Sequence, residues 1–559
     1  VISSTETSRA SVLDRLAVAR DTIRTRTPWS LWAISVLGVA TFAARAPGLV
    51  FNGMFDRDES YLAVTGDVLR HGGLLYVDVI DRKPPIAPMI YGLAREWSVD
   101  MRAIRVLCAV LIFLNGLVIA ELIRRLTDSR RAALFGAVLA IIGTAMFLPP
   151  DAQAANFELW GLFPASAAIL CVVVARRAQV VDARRAQVGV ARRAQVGVAR
   201  RAQVGVARRA QVGVARRAHV VVSRRARVGV VWWYAAAGAL VVLAANCKQP
   251  YIVVGIPVLF EALRRSGDRW RAVAATAAGA VAAFVPFLFL FDGSRMIRWA
   301  WADNGDYLDG GLSLGRASLI GVGLTVAFVA FHLPLFYGVW AAITRRVRID
   351  ALIIVWAIVS IAVVPIGFRF FGHYYQQVVP PLAVMSGIAI VGASRRVWQT
   401  LALMTVALAV VLTSLAFVHR PGLSNFTALG RYVQRTTTPD QRILVWGALP
   451  DVYVASQRMP AGVFLHDGYL TGNWASRAEP LPASTIADEP FRSRWSMFFA
   501  DLSTHPPELV IDAARPGTDW SAYGPEKYPI GAWLDRCYTR ETVIDGLPVW
   551  RRDPNLCPG

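Results

Sequence analysis

Between Phe55 and Leu93 the chain reads FDRDESYLAVTGDVLRHGGLLYVDVIDRKPPIAPMIYGL. Asp56, Asp58, Glu59, Asp67, Asp78 and Asp81 stand there beside Arg57, Arg82 and Lys83. Adjacent carboxylates at Asp58 and Glu59 can divide acid–base work. One takes a proton from a hydroxyl, and the other hydrogen-bonds a sugar or holds a cation. Lys83 is a compact positive charge suited to a phosphate. Composition alone equally allows these charges to solvate a loop and pair with one another.

The elements that must position these residues are membrane helices. The chain has 559 residues, 55% of them hydrophobic, with a mean hydropathy of +0.43. Soluble domains run about 45–50% apolar, and a chain this apolar buries too much surface to be disordered. The 18 Trp and 25 Phe suit membrane interfaces. Five Cys exclude a disulfide scaffold. CxxC, HExxH and the phosphate-loop signature GxxxxGK[ST] are all missing, so neither a standard zinc site nor ATP-driven work is indicated.

A span needs about 20 mostly apolar residues. Eleven stretches qualify, near 29–44, 103–123, 132–149, 157–175, 229–246, 250–263, 272–291, 318–343, 351–368, 376–393 and 398–418. The first follows a basic leader, 1–28, and lacks the small-residue cleavage site of a signal peptide. With the leader in the cytoplasm, the inside loops are all basic, among them RRLTDSRR (124–131), RRSGDRWR (264–271) and TRRVRID (344–350). The first outside segment, 45–102, then carries the chemistry. The reading is a polytopic α-helical membrane protein of about eleven spans over 29–418, in a plasma membrane, with 419–559 outside the cytoplasm.

The net charge of +22 is local. Seven octapeptide units related to ARRAQVGV fill 175–230, where 15 Arg face one acid, Asp182. That window carries +14 and leaves +8 for the rest. Eight residues at 100° drift by 80° per unit, so no fixed helical face recurs. A poorly ordered cytoplasmic loop is expected, with anionic lipid headgroups as the functional alternative. No aromatic interleaves the arginines, which argues against nucleic acid.

Residues 419–559 hold 14 basic and 15 acidic residues and short apolar runs: RILVWG (442–447), GVFLHD (462–467), ELVIDAA (508–514) and LPVWRR (547–552). These suggest a small α/β domain. Cys537 and Cys557 lie in it, and a disulfide between them suits an oxidising compartment. Cys108, Cys171 and Cys247 read as small packing residues. Asn425-Phe426-Thr427 is a glycosylation sequon, relevant only in a host that uses it.

The order Asp58-Glu59-x-Tyr61, Gly72-Gly73-x-x-Tyr76-x-Asp78, then Asp81-x-Lys83-Pro84-Pro85 resembles the first periplasmic loop of the GT-C glycosyltransferases. It is most similar to the protein mannosyltransferase and aminoarabinose transferase branch, including bacterial members used in lipopolysaccharide assembly. Three further segments fit: PPDAQAANFELWGLFP (149–164) with Asp151, Asn156 and Glu158; CKQPY (247–251) with Lys248 and Gln249; and FRFFGHYYQQVVPP (368–381) with Arg369, His373, Tyr374, Tyr375 and Gln376. The resemblance spans roughly 30–420, and the repeat at 175–230 departs from it.

The resemblance implies transfer of a sugar from a polyprenyl-phosphate carrier, outside the cytoplasm, with inversion. It implies Asp58 as the base on the acceptor hydroxyl, with Glu59 and Asp151 beside it. It implies Lys83 as a holder of the carrier phosphate. Lys248 and Arg369 are further candidate donors to the developing phosphate charge, with Tyr61, Tyr76, Gln249, His373 and Tyr374 as contacts. Some members bind a divalent metal, although no tight His/Cys cluster demands one here. The acceptor is a glycan, lipid or protein.

Plainer roles stand beside these. His373 could be a structural hydrogen-bonder, Tyr374 and Tyr375 interfacial belt residues, and Lys248 a snorkelling side chain. Glu158 could simply favour a helix N-terminus. Two other classes compete: a transporter or lipid-carrier flippase, which needs polar or broken elements near mid-membrane, and an inert membrane scaffold tethered by its arginines.

Overall fold

The computed structural model describes residues 30–201, 210–265, 268–303, 314–418, 426–472, 481, 483–514 and 521–556. The leader 1–28, Asn425 and Cys557 lie outside the described residues. The chain opens with helix α1 (Leu31–Val50), capped by the Ser30 side chain. Then come α2 (Arg57–Arg70), α3 (Ile86–Trp97), α4 (Met101–Thr127), α5 (Arg130–Gly143), α6 (Pro149–Gln153), α7 (Phe157–Arg201) and α8 (Ala210–Cys247). After a 3-10 turn at Gln249–Val254 follow α9 (Gly255–Arg265), α10 (Arg269–Leu290), α11 (Leu314–Phe331), α12 (Leu333–Thr344) and α13 (Ala351–Ala362). A second 3-10 turn, Gly372–Val378, leads into α14 (Val379–Ala389), and α15 (Arg395–Val418) closes the bundle.

Among the described residues, eight helical stretches are long and apolar enough to cross a membrane: α1, α4, α10, α11, α15, Phe157–Gln179, Gly229–Cys247 and Gly372–Gly392. The other expected spans are shorter. Helix α5 has only 14 residues. The stretch near 250–263 starts as a 3-10 turn around Pro250, which has no N–H to donate to a helix. The stretch near 318–343 breaks at His332, just before Pro334, into α11 and α12. The chain after α13 turns at Gly367, whose φ of 77° no ordinary helix admits.

The octapeptide repeat is not an irregular loop where it is described. It continues the flanking spans as helix, through Arg201 in α7 and from Ala210 in α8. Ala, Arg and Gln are strong helix formers, and each helix extends from a turn already nucleated in the bundle. The first pair of the repeat is anchored. Arg176 reaches Asp350 at 2.7 Å and Glu261 at 3.3 Å, and Arg177 reaches Asp128 at 3.2 Å.

Helices α2 and α3 lie by the starts of α4 and α7, where Glu59 of α2 meets Arg105 of α4 and the Ala155 N–H before α7. They touch backbone to backbone: a Cβ on Gly66 would stand 2.6 Å from the Gly92 nitrogen. The C-terminal part packs on α2 as well. It contains α16 (Thr427–Thr436), β1 (Ile443–Trp446), α17 (Asp451–Ser456), α18 (Gly468–Thr471), α19 (Phe491–Thr504), β2 (Leu509–Asp512), α20 (Pro529–Cys537), β3 (Tyr538–Ile544) and β4 (Leu547–Arg552). The sheet order is β1-β2-β4-β3, parallel between β1 and β2 and antiparallel elsewhere. Asp545 and Gly546, both with positive φ, make the tight turn between β3 and β4.

Three of the four apolar runs are strands. The run at 462–467 contributes only an isolated bridge, in which the Ile80 N–H donates to the Val463 carbonyl at 2.8 Å. That bridge ties the first loop to the C-terminal part, and Val64, Tyr76 and Ile80 share one buried cluster with Leu444, Phe464 and Tyr469. Cys537 is disulfide-bonded, whereas Cys108, Cys171 and Cys247 are free and buried.

Candidate active site

Asp56 ends the extended approach to α2, and its carboxylate accepts from the Asp58 N–H at 2.7 Å. This N-cap, with Asp58 and Glu59 in the first turn, sets negative charge against the positive end of the helix. Asp58 therefore leaves the helix at its first turn, facing the KPP segment. Lys83 Nζ donates to Asp58 Oδ1 at 2.9 Å and lies 3.9 Å from the centre of the Phe157 ring. Burial alone would raise the Asp58 carboxyl. The positive charges of Lys83, His373 and Lys248 outweigh it and hold Asp58 well below the usual carboxylate range.

Lys83 is itself positioned from behind. The Tyr76 hydroxyl donates to the Lys83 carbonyl at 2.8 Å, and Asp81 accepts from the Lys83 N–H at 3.2 Å. Tyr76 is fully buried and has a φ of 70°. It is thus a brace for the lysine backbone and not a surface for a ligand.

Glu59 is occupied. Its Oε1 accepts from Arg105 Nε at 2.8 Å and the Ala155 N–H at 2.9 Å. Its Oε2 accepts from Arg105 Nη2 at 2.6 Å and the Phe55 N–H at 3.0 Å. A carboxylate offers about four lone-pair sites, and all four are used. The geometry makes Glu59 a tie between α2, α4 and the loop before α7.

The second group gathers around His373. Its Nδ1 lies 2.8 Å from Asp151 Oδ1, and Asp151 in turn hydrogen-bonds Asp56. One atom each of Asp56, Asp151 and His373 lies within 4.8 Å of the others. Burial and the charges of Asp58 and Asp151 push the Asp56 carboxyl up to about 7. Burial alone would raise the Asp151 carboxyl, but the charge of His373 and hydrogen bonds from His373 and Asp56 together outweigh it and lower it. Of the two neighbouring carboxylates, Asp56 is thus the one that holds a proton more readily. Gly372 is required for this approach, since a Cβ there would strike the Asp151 carboxylate.

Beyond His373 the polar chain continues. His373 Nε2 is 3.8 Å from Glu158 Oε1, which forms a close ion pair with Lys248. Lys248 Nζ sits 4.2 Å from the centre of the Tyr374 ring. Gln249 donates to the carbonyls of Arg82 at 2.7 Å and Ala300 at 2.9 Å, so it braces the loop that carries Lys83. Arg369 is buried in the kinked turn before His373. Tyr375 pairs with Thr325 at 2.8 Å and packs on Phe147 and Phe328. Tyr61 stacks on His466 of the C-terminal part, ring centres 5.8 Å apart.

The structure thus brings Asp58, Lys83, Asp151, His373, Glu158, Lys248 and Tyr374 into one connected network. Asp56 belongs to it as well, and sequence reasoning counted it only among the loop's charges. Its signal was present: an Asp two residues before Asp58, at the start of a helix with acids in its first turn.

No protein-family model and no curated protein matches the chain. Solved structures do. ArnT from Cupriavidus metallidurans in the apo state is similar with a TM-score of 0.58 and 14% identity, over 94% of this chain and 98% of that one. The same protein bound to undecaprenyl phosphate gives 0.54 at the same identity and coverage. The Archaeoglobus fulgidus oligosaccharyltransferase in its apo form gives 0.50 and 13% identity, over 87% of this chain and 70% of that one. The chain therefore shares the overall fold of these two proteins, a bundle of membrane-type helices followed by a C-terminal part.

Proposed function

We propose that the protein is a membrane glycosyltransferase that moves a sugar from a polyprenyl-phosphate carrier to an acceptor hydroxyl with inversion. The observation that carries this reading is the Asp58–Lys83 pair: a base and a phosphate-binding cation joined by one hydrogen bond in a half-buried polar site. The ArnT likeness in a complex with undecaprenyl phosphate supports the carrier. A transporter is less well supported, because the ionisable residues here stand at helix ends.

In the resting protein Lys83 holds Asp58 down. A carrier phosphate arriving at Lys83 offers that lysine a competing anion. Asp58 then loses its strongest stabilising charge and becomes more basic as the acceptor arrives. Asp58 takes the acceptor O–H proton, the acceptor oxygen bonds to the anomeric carbon from the side opposite the phosphate, and the carbon–oxygen bond to the phosphate breaks. Its electron pair stays on the phosphate oxygen, where Lys83 meets the new charge. Glu59 and Arg105 keep α2 in place, and Tyr76 and Gln249 keep the lysine in place.

Lys83→Ala tests this reading. Affinity for undecaprenyl phosphate should fall by about 10-fold or more, since a hydrogen bond to a charged group is lost. Equal affinity in wild type and variant would remove the carrier assignment. On the proposed topology this chemistry is extracytoplasmic. A reporter fused after residue 559 should read outside and one in the repeat inside.

Asp56, Asp151 and His373 also fit a divalent cation. Two neighbouring carboxylates with an imidazole in reach, one ligand atom of each within 4.8 Å of the others, are a ligand set of hard and borderline donors. A cation there would supply positive charge toward the carrier phosphate. Metal analysis of purified protein after dialysis against Mn²⁺ or Zn²⁺ should find one equivalent. His373→Ala should lose it, and unchanged metal content in that variant would count against the site.

A further inference from the structure

Three residues after Asp58, on the same side of α2, the Tyr61 hydroxyl is buried with no hydrogen-bond partner among the described residues. The charges of Arg57, Asp467, Asp451 and Asp58 all bear on it. Asp467, before α18, is 4% exposed, and among the described residues neither of its carboxylate oxygens has a hydrogen-bond partner. His466 Nδ1 lies 3.2 Å from Asp467 Oδ1. It offers no proton there, because it accepts the Gly468 N–H at 2.8 Å. Asp451, the first residue of α17, is 3% exposed; its Oδ1 accepts from the Ser60 hydroxyl at 2.9 Å and its Oδ2 has no hydrogen-bond partner among the described residues. Four polar atoms, three of them carboxylate oxygens, thus share one buried place between α2 and the C-terminal part.

Buried polar atoms are normally paired, and those that are not call for an explanation. Carboxylate oxygens accept only, so the missing partners are donors. Two oxygens of one carboxylate can take neighbouring hydroxyls of a sugar ring, a phenol can both give and take, and the Tyr61 and His466 rings provide apolar walls. A few converging polar groups on an apolar wall is the usual build of a small-molecule site.

We propose that Tyr61, Asp451 and Asp467 form a sugar subsite that binds the ring hydroxyls of a glycosyl group beside the reacting centre. It rests on the glycosyltransferase reading and adds residues of the C-terminal part to the substrate site. The ring belongs either to the carrier-linked donor or to a glycan acceptor, and the chemistry is the same for both.

The test uses the full chain in lipid nanodiscs, as wild type, Asp467→Asn and Tyr61→Phe. Three probes are titrated: bare undecaprenyl phosphate, undecaprenyl-phosphate-linked glucose, mannose and arabinose, and the methyl glycosides of the same sugars. Bare carrier should bind all three proteins equally. In one sugar-bearing set, affinity should fall by about 10-fold in each variant, for the loss of hydrogen bonds at a charged or buried partner. A fall confined to the carrier-linked sugars assigns the subsite to the donor, and a fall confined to the methyl glycosides assigns it to the acceptor. Variants that bind both sets like wild type would overturn the proposal, as would a wild type that gains nothing from any sugar. A more heat-stable Asp467→Asn with unchanged sugar binding would show a merely buried charge and also overturn it. If wild type fails to bind bare carrier, the glycosyltransferase reading itself falls.

Discussion

Asp58→Asn should lower sugar transfer by at least about 100-fold, the lower end for loss of a general base. The amide keeps the size of the side chain and removes its basicity. Lys83 loses the carboxylate it holds at 2.9 Å, so carrier capture should survive and can even tighten. The measurement is transfer rate and donor affinity on the same preparations. The rival base is Asp151, but its Oδ1 is engaged by His373 at 2.8 Å, and that charge and hydrogen bond help to lower its carboxyl. Near-normal transfer in Asp58→Asn, with Asp151→Asn dead, would move the base to Asp151.

Arg105→Ala should be the most destabilising single change in the site. Arg105 is 3% exposed and Glu59 fully buried, and the pair holds together three separate stretches of chain. Removing one partner of a buried ion pair typically costs about 3–5 kcal/mol, because the other charge stays buried without compensation. Thermal unfolding in nanodiscs should show the loss clearly. Glu59→Gln/Arg105→Met, which leaves no unpaired charge, should recover part of it. A stable Arg105→Ala with a catalytically dead Glu59→Gln would instead return Glu59 to the chemistry.

Much of this site was legible because hydropathy marks helix ends. Once the spans were drawn, Asp58, Lys83, Asp151, Lys248 and His373 fell at one end of the bundle, and they meet there. What hydropathy cannot show is which charges neutralise each other. Arg105 falls inside the stretch expected as the span 103–123, yet it consumes half of Glu59's hydrogen-bonding capacity. Tyr76 and Gln249 looked like ligand contacts, and both are spent on backbone carbonyls. These pairings join residues as far apart as Asp151 and His373 and exist only in the folded chain.

The helix breaks were missed for a related reason. Apolar composition runs unbroken through 318–343, while the interruption at His332 is fixed by Pro334 and by the imidazole, whose Nδ1 lies 2.8 Å from the Phe328 carbonyl oxygen and whose Nε2 lies 2.9 Å from that of Gly143. In the repeat, periodicity argued against a packed face. Helix formation there needs no packed face, because each arm extends a span that is already ordered.

The Asp58–Lys83 pairing has a kinetic consequence on the proposed reading. The donor presents Lys83 with a phosphodiester, one negative charge. Transfer leaves a phosphomonoester, which carries about −1.5 to −2 at pH 7. The spent carrier is therefore the stronger competitor of Asp58 for the lysine. It should linger after the sugar has gone, so that turnover is paced by product departure and slowed by added free lipid phosphate. Acid below the second phosphate ionisation, by returning the spent lipid toward a single charge, should speed its release.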